Sequence, residues 1–515
     1  MIEIKIRKLN TTGSNAGRLE HHEAGPLLLL PSILSLLLSV SAGHPNRAAA
    51  SSCPAPAIRP VLLPRPTHYT ASSPMDTPQK QVTHSRTGHI LTNTGVWSPD
   101  GQWIVYDTRS DPAGAQFDGR RIEMASIRTG EVKTLFEAAH GAYCGVATFH
   151  PREDKIVFIL GPENPSPDWE YNAYHRQGVI VEVSRPGEAV PLDARDLVPP
   201  FTPGALRGGS HLHVWDAAGQ WVSFTYEDHL LSRFTRETAE HDINLRNLGV
   251  SLPDRPVRAP RTHPRNRDGS FFSVLVTRTT ANPEPGSDQI SRACEEGWVG
   301  ANGYARADGR WQRHALAFQG LVATAQGQTI AEAFIVDLPD DLATPGEGPL
   351  AGTETRRPSP PRGVTQRRLT RTAARPYPGL QGPRHWLRSA PEGSRIACLM
   401  KDDQGLVQLW TLSPNGGAPA QLTRNPWPVS SAFTWSPDGR HIAHTMDGSL
   451  CVTDTRDGST SRLTARAEDA AAPRPEACVF SPDGKRIAFV RPVPDSGQWF
   501  NQVFVADLSQ SVAGH

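Results

Sequence analysis

Trp435-Ser436-Pro437-Asp438-Gly439 runs directly into the alternating segment Arg440-His441-Ile442-Ala443-His444. The same pattern stands at Trp97-Ser98-Pro99-Asp100-Gly101, before Gln102-Trp103-Ile104-Val105-Tyr106, and at Phe480-Ser481-Pro482-Asp483-Gly484, before Lys485-Arg486-Ile487-Ala488-Phe489. Each copy reads as a tight turn between two strands: Pro presets φ, Asp hydrogen-bonds its own backbone, and Gly takes a positive φ. Four degenerate copies fill the chain between them. They are Phe149-His150-Pro151-Arg152, Trp215-Asp216-Ala217-Ala218-Gly219, Thr262-His263-Pro264 running to Asp268-Gly269, and Ser389-Ala390-Pro391-Glu392-Gly393.

Other signals keep step with the turns. Gln81-Val82-Thr83, Arg368-Leu369-Thr370, Gln421-Leu422-Thr423 and Arg462-Leu463-Thr464 recur upstream, and strands such as Val407–Thr411 and Gln502–Ala506 recur downstream. The clean turns are about 45 residues apart, which with four short strands per unit is the period of a propeller blade. Seven turns predict an all-β, seven-bladed β-propeller over 79–510, closed by mixing the two chain ends. Insertions fall near 161–178, 283–315 and 341–365, the last a Pro/Gly-rich surface loop.

Composition agrees. Gly 44 and Pro 47 of 515 residues favour a turn-rich β chain over a helical one. The net charge of +1 excludes a nucleic-acid binder driven by bulk charge. Only seven of the 53 basic residues are lysine. Such an Arg bias suits a carboxylate reader or simply a GC-rich genome. The six cysteines form no C-x-x-C pair and no disulfide framework, and are expected to be small buried residues. Residues 1–78 read as a leader and disordered segment. The apolar run 26–40 is too short for a membrane span but suits a signal peptide, with Val40-Ser41-Ala42 as cleavage site. This implies export to the periplasm. If translation starts at Met75 instead, the protein is cytoplasmic.

The Trp-Ser-Pro-Asp-Gly turns resemble the WD-like repeats of TolB-like propellers. A closer resemblance, over nearly all of 79–510, is to the bacterial YidR-like family. It is carried by Thr202–His213, Val222–Tyr226, Glu295–Gly300, Gly352–Thr355, Gln366–Thr370 and the Pro-Arg-His-Trp stretch at 383–386. That family is functionally uncharacterised, so the resemblance implies a fold and no activity. A more distant similarity is to oligogalacturonate lyases, which implies a divalent metal, Mn or Zn, on channel histidines.

In a propeller the first strand of each blade lines the central channel. Counting back four residues from each turn aromatic, or from its equivalent Thr262 or Ser389, gives a ring of Asn93, Gly145, His211, Arg258, His385, Ser431 and Glu476. Two residues nearer the turn the ring reads Gly95, Ala147, His213, Pro260, Leu387, Phe433 and Cys478. A one-residue slip would reverse every side chain. His211 and His213, at i and i+2 of a strand, are expected on one face. With His385 they form a candidate metal set, Glu476 being near; the alternative is channel histidines bonded to water or backbone. The lyase-type site also uses a Gln three residues before its H-x-H, where this chain has Gly208. Arg207 and Arg384 flank the histidines and either bind carboxylates or pair with Asp216 and Glu392. His150 and His263 read as turn caps or as extra channel histidines. Glu295-Glu296 reads as a solvated loop or one that reaches over the channel.

There is no G-x-S-x-G, no H-E-x-x-H and no Walker A motif. Gly346–Ala351 imitates a dinucleotide loop, but no helix follows it. The expected function is therefore a monomeric binding module presenting its funnel to a protein, a peptide or an acidic oligosaccharide. The ligand funnel would comprise Asn93, Arg207, His211, His213, Arg258, Arg384, His385 and Glu476. The alternative is a metal-dependent enzyme on uronates, with His as base and Arg holding the carboxylate.

Overall fold

The structure is a computed structural model and describes residues 77–253, 255–383, 386–476 and 478–509. Seven four-stranded antiparallel sheets form the ring. Their innermost strands are Gly88–Ile90, Cys144–Phe149, Gly208–Trp215, Ala293–Trp298, Arg388–Ser389, Thr434–Trp435 and Val479–Phe480, blades one to seven. Blade seven takes its outermost strand, Gln79–Gln81, from the chain's N-terminal side. The ring is thus closed by strand pairing between the two ends of the propeller segment.

The recurring sequence signals have local physical causes. In the three full turns the Ser hydroxyl donates to the Asp carboxylate at 2.5 Å, and the same hydroxyl accepts the amide five residues on. Gly101, Gly439 and Gly484 all have φ near +70°. His150 replaces the Ser: its Nδ1 accepts the amides of Arg152 and Glu153 at 3.1 and 2.9 Å, so it caps the turn. The recurring Thr follows each fourth strand. Thr83, Thr370, Thr423 and Thr464 accept the amides of Val503, Ala333, Leu409 and Leu450 at 2.9 to 3.0 Å, tying fourth strand to third. Gln81-Val82-Thr83 therefore marks a fourth strand that has lost its blade to the other end of the chain. The turn aromatics join blades: the indoles of Trp97, Trp298 and Trp435 donate to the carbonyls of Val479, Val214 and Arg388 in the preceding blade.

One blade differs from the sequence reading. Thr262–Gly269 is not the turn of blade four; it lies between Leu252 and Phe272, the third and fourth strands of blade three. His263 still caps a turn there, accepting the amide of Arg265. Blade four begins instead at Ala293–Trp298, inside what the repeat pattern treats as an insertion. Its turn lacks Ser-Pro-Asp-Gly and is enlarged by the hairpin Tyr304–Ala305 with Trp311–Gln312. Arg258 is consequently no channel residue. Its side chain is 84% exposed and pairs with Asp268 at 2.7 Å.

Arg207 also moves out of the funnel. It is 1% exposed and donates to Asp228 at 2.8 Å, not to Asp216, and to the carbonyls of Thr353 and Arg356. It thereby fastens the long 341–365 loop to blade three. Cys144, Cys294, Cys398, Cys451 and Cys478 are buried and unbridged, while Cys53 and the leader up to residue 76 lie outside the described residues. Among the described residues no helix is long and apolar enough to cross a membrane.

Candidate functional site at the entrance of the central channel

Three consecutive inner strands carry the same irregularity. In blade two Val146 and Ala147 together oppose Phe158; in blade three Leu212 and His213 oppose Phe224; in blade four Glu295 and Glu296 oppose Phe318. Two residues against one is a β-bulge. The first bulge residue is left-handed in every case: Val146 φ 60°, Leu212 φ 62°, Glu295 φ 57°. None is glycine, and a β-branched Val there is strained. Tertiary contacts supply what the sequence does not: in blade two the Asp107 carboxylate accepts the Val146 amide at 3.0 Å. Persistent strain of this kind concentrates at functional sites.

The bulges decide where side chains go. The first residue of each, Val146, Leu212 or Glu295, turns to the channel, where all three line one cavity of about 470 Å³. Val146 and Leu212 meet Trp386 and Ala432, from the blade-five and blade-six side, in an apolar cluster that plugs the ring centre. The second residue turns into the protein. His213 is fully buried; its Nε2 lies 3.0 Å from Ser210 Oγ and beside Gly178 of blade two, where a Cβ would come within 2.5 Å. His211 lines the cavity and is hydrogen-bonded to Thr225 Oγ1. The expectation that His211 and His213 share one face fails because the bulge between them breaks the period of two.

Two arginines dominate the cavity wall. Arg109 forms a buried ion pair with Asp107, donates to Gln116 O at 3.0 Å and lies 4.6 Å from the Phe117 ring centre. Phe117 stacks on Tyr171. Arg176 lies over both rings and donates Nε to Tyr171 Oη at 2.9 Å. Among the described residues Arg176 has no carboxylate partner. Burial, then Arg176, pushes the His211 imidazole well below its usual range, so it is neutral at pH 7. Burial alone takes His213 down to about 3. Glu296 is fully buried, and burial pushes its carboxyl up to about 8.

The remaining sequence candidates separate. Asn93 is buried and donates to Thr148 Oγ1 at 3.3 Å. Glu476 is buried. Arg384 and His385 lie outside the described residues. Among the described residues no three His, Cys, Asp or Glu side chains gather to hold a metal ion, so the donors present there do not fit a Mn or Zn site. Arg109, Arg176 and Glu295 were not singled out as channel-lining residues by the repeat pattern. Arg176 sits in the 161–178 insertion, and Glu295 belongs to the blade whose turn is degenerate. A Phe in the middle of the second strand, at 158, 224 and 318, is the one repeated sign of the bulges.

The opposite end of the channel is different in kind. Trp97, Phe149, Trp215, Trp298, Trp435 and Phe480, with prolines of the turns, line a shallow bowl of about 430 Å³.

These features define a seven-bladed β-propeller with a plugged channel and a polar cavity at its strand-entrance end. Residues 143–267 match a family described as a protein of unknown function (DUF3748). The chain is 47% identical over 419 residues to "Uncharacterized protein YidR" of Escherichia coli (strain K12), covering 81% of this chain and 95% of that one. It belongs to the YidR family. Among solved structures it is similar to an oligogalacturonate lyase in complex with manganese (TM-score 0.49, 11% identity, 86% of this chain and 96% of that one). It is also similar to TolB from Acinetobacter baumannii (TM-score 0.31, 12% identity, 79% and 80%).

Proposed function

We propose that the protein is a binding module whose entrance cavity takes a small anionic ligand, its carboxylate seated on Arg176. The observation that carries this reading is a guanidinium without a carboxylate partner among the described residues, held on an aromatic platform and facing a cavity of ligand size. Such a fork suits bidentate carboxylate recognition. Arg109 is already neutralised by Asp107 and serves to hold Phe117. The three strained bulges support the reading, since the first residue of each lines this cavity.

Titration calorimetry with simple carboxylates on wild type and Arg176→Gln tests it. Binding that weakens with salt and is lost in the variant is expected; equal binding by both proteins refutes it. The metal-dependent uronate enzyme has less support, because His211 and His213 diverge. Stoichiometric Mn or Zn in the purified protein would revive it.

A further inference from the structure

An anion alone would sit badly in the entrance cavity, because Glu295 faces it as well. Its side chain is half-buried and makes no hydrogen bond or ion pair with any described residue. Its backbone is left-handed, a conformation that glycine would adopt without strain and that here aims a carboxylate at the channel. Buried Glu296 adjoins it, and Arg388 and Arg246 act on the Glu296 carboxyl. Among the described residues Arg388 donates only to the Glu296 carbonyl, at 3.4 Å, and Arg246 is taken up by Glu227 at 2.6 Å.

The charges that the described residues bring to the cavity can therefore be accounted for one by one. Arg109 is paired with Asp107, and His211 is neutral and bonded to Thr225. Arg176 remains as a cation and Glu295 as an anion. Both line the cavity, yet they are not within ion-pair distance of each other. Each is partly buried and has no counter-charge among the described residues, which is costly away from bulk water. A purely anionic ligand would satisfy Arg176 and be repelled by Glu295; an amine would do the reverse. Apolar walls of Phe117, Ile90 and Trp386 complete the cavity.

Resting on the anion-site reading, we infer that the ligand is a zwitterion, a free amino acid or short peptide. Its carboxylate meets Arg176, its protonated amine meets Glu295, and its carbon body lies against Phe117 and Trp386. This separates the ligand from an acidic sugar, which has no cation to offer Glu295. A cavity of about 470 Å³ accommodates such a molecule.

The test is calorimetry on the full chain with the twenty common amino acids, glycylglycine and galacturonate. The des-amino acid and the carboxamide matched to the best zwitterion follow. A charged hydrogen bond at each end predicts that the zwitterion binds roughly tenfold or more tighter than either matched analogue. Glu295→Gln should bring the zwitterion down to the level of its des-amino analogue and leave that analogue's affinity unchanged or improved. Melting curves confirm that the variant is folded. If galacturonate or the des-amino acid binds wild type as well as any zwitterion does, the zwitterion inference is overturned while the anion site survives. If no carboxylate binds wild type, the anion site falls with it.

Discussion

Replacing Glu296 by Gln will stabilise the protein at pH 8 and above and change little near pH 4. Glu296 is fully buried opposite Phe318 in the blade-four bulge, and neither carboxylate oxygen has a hydrogen-bond partner among the described residues. Burial is the main cause of its shift. Its own backbone amide, Arg388 and Arg246 work against it, while Glu295 adds to it. Its proton affinity rises from an ordinary 4.5 to about 8 in the fold. Between these values the native state holds a proton that the unfolded chain has released, so stability falls as pH rises through the window and levels off above about 8. At about 1.4 kcal/mol per tenfold change in affinity, the penalty at high pH is on the order of 5 kcal/mol. Gln mimics the protonated acid and carries no such penalty. Urea denaturation of both proteins from pH 4 to 9 gives the difference curve, in which the buried histidines that weaken the fold in acid cancel. A difference that grows between pH 5 and 8 is expected. A difference constant across the range would refute the assignment of Glu296 as a buried, protonated acid.

Asp107→Ala will destabilise by about 3–5 kcal/mol in urea melts, because it strands the buried Arg109 and removes the acceptor of the strained Val146 amide. Asp438→Ala will cost about 1–3 kcal/mol, since its carboxylate fixes both Ser436 and the Arg440 amide. Gly439→Val will cost at least as much: φ is +70°, and a Cβ would lie 2.9 Å from Glu392 Oε2. A chain beginning at Met75 will melt cooperatively, whereas one beginning at Gly88 will not, because it lacks the strand Gln79–Gln81 that closes blade seven.

Blades one, six and seven were legible because their turns are written in local chemistry. Ser436, Asp438 and Gly439 make their turn with one another, and Thr423 or Thr464 ties its own blade. Ring closure was equally readable, since Gln81-Val82-Thr83 repeats the fourth-strand motif with no preceding blade. Blade four was not, because Trp298 is followed by an enlarged hairpin instead of the turn, while His263-Pro264 offers a convincing turn on another strand pair. The site was half legible. His211 stands in the cavity wall. Its partner His213 does not, because left-handed Leu212 defies local propensity and only long-range packing imposes it. Asp107 plays that part for Val146 from a different blade, and no spacing rule reveals such a contact. Arg176 was hidden for the same reason: it enters from a loop with no repeat register and owes its place to Tyr171 and Phe117.

The central claim is that the cavity between Arg176 and Glu295 holds the ligand. The measurement that tests it most directly is a crystal structure of the protein grown with the amino acid or dipeptide that binds best in calorimetry. The account predicts density for the ligand against Phe117 and Trp386, with its carboxylate on the Arg176 guanidinium and its amine on the Glu295 carboxylate. Density instead in the aromatic bowl of Trp97, Trp215 and Trp435, with the entrance cavity holding only solvent, would contradict it.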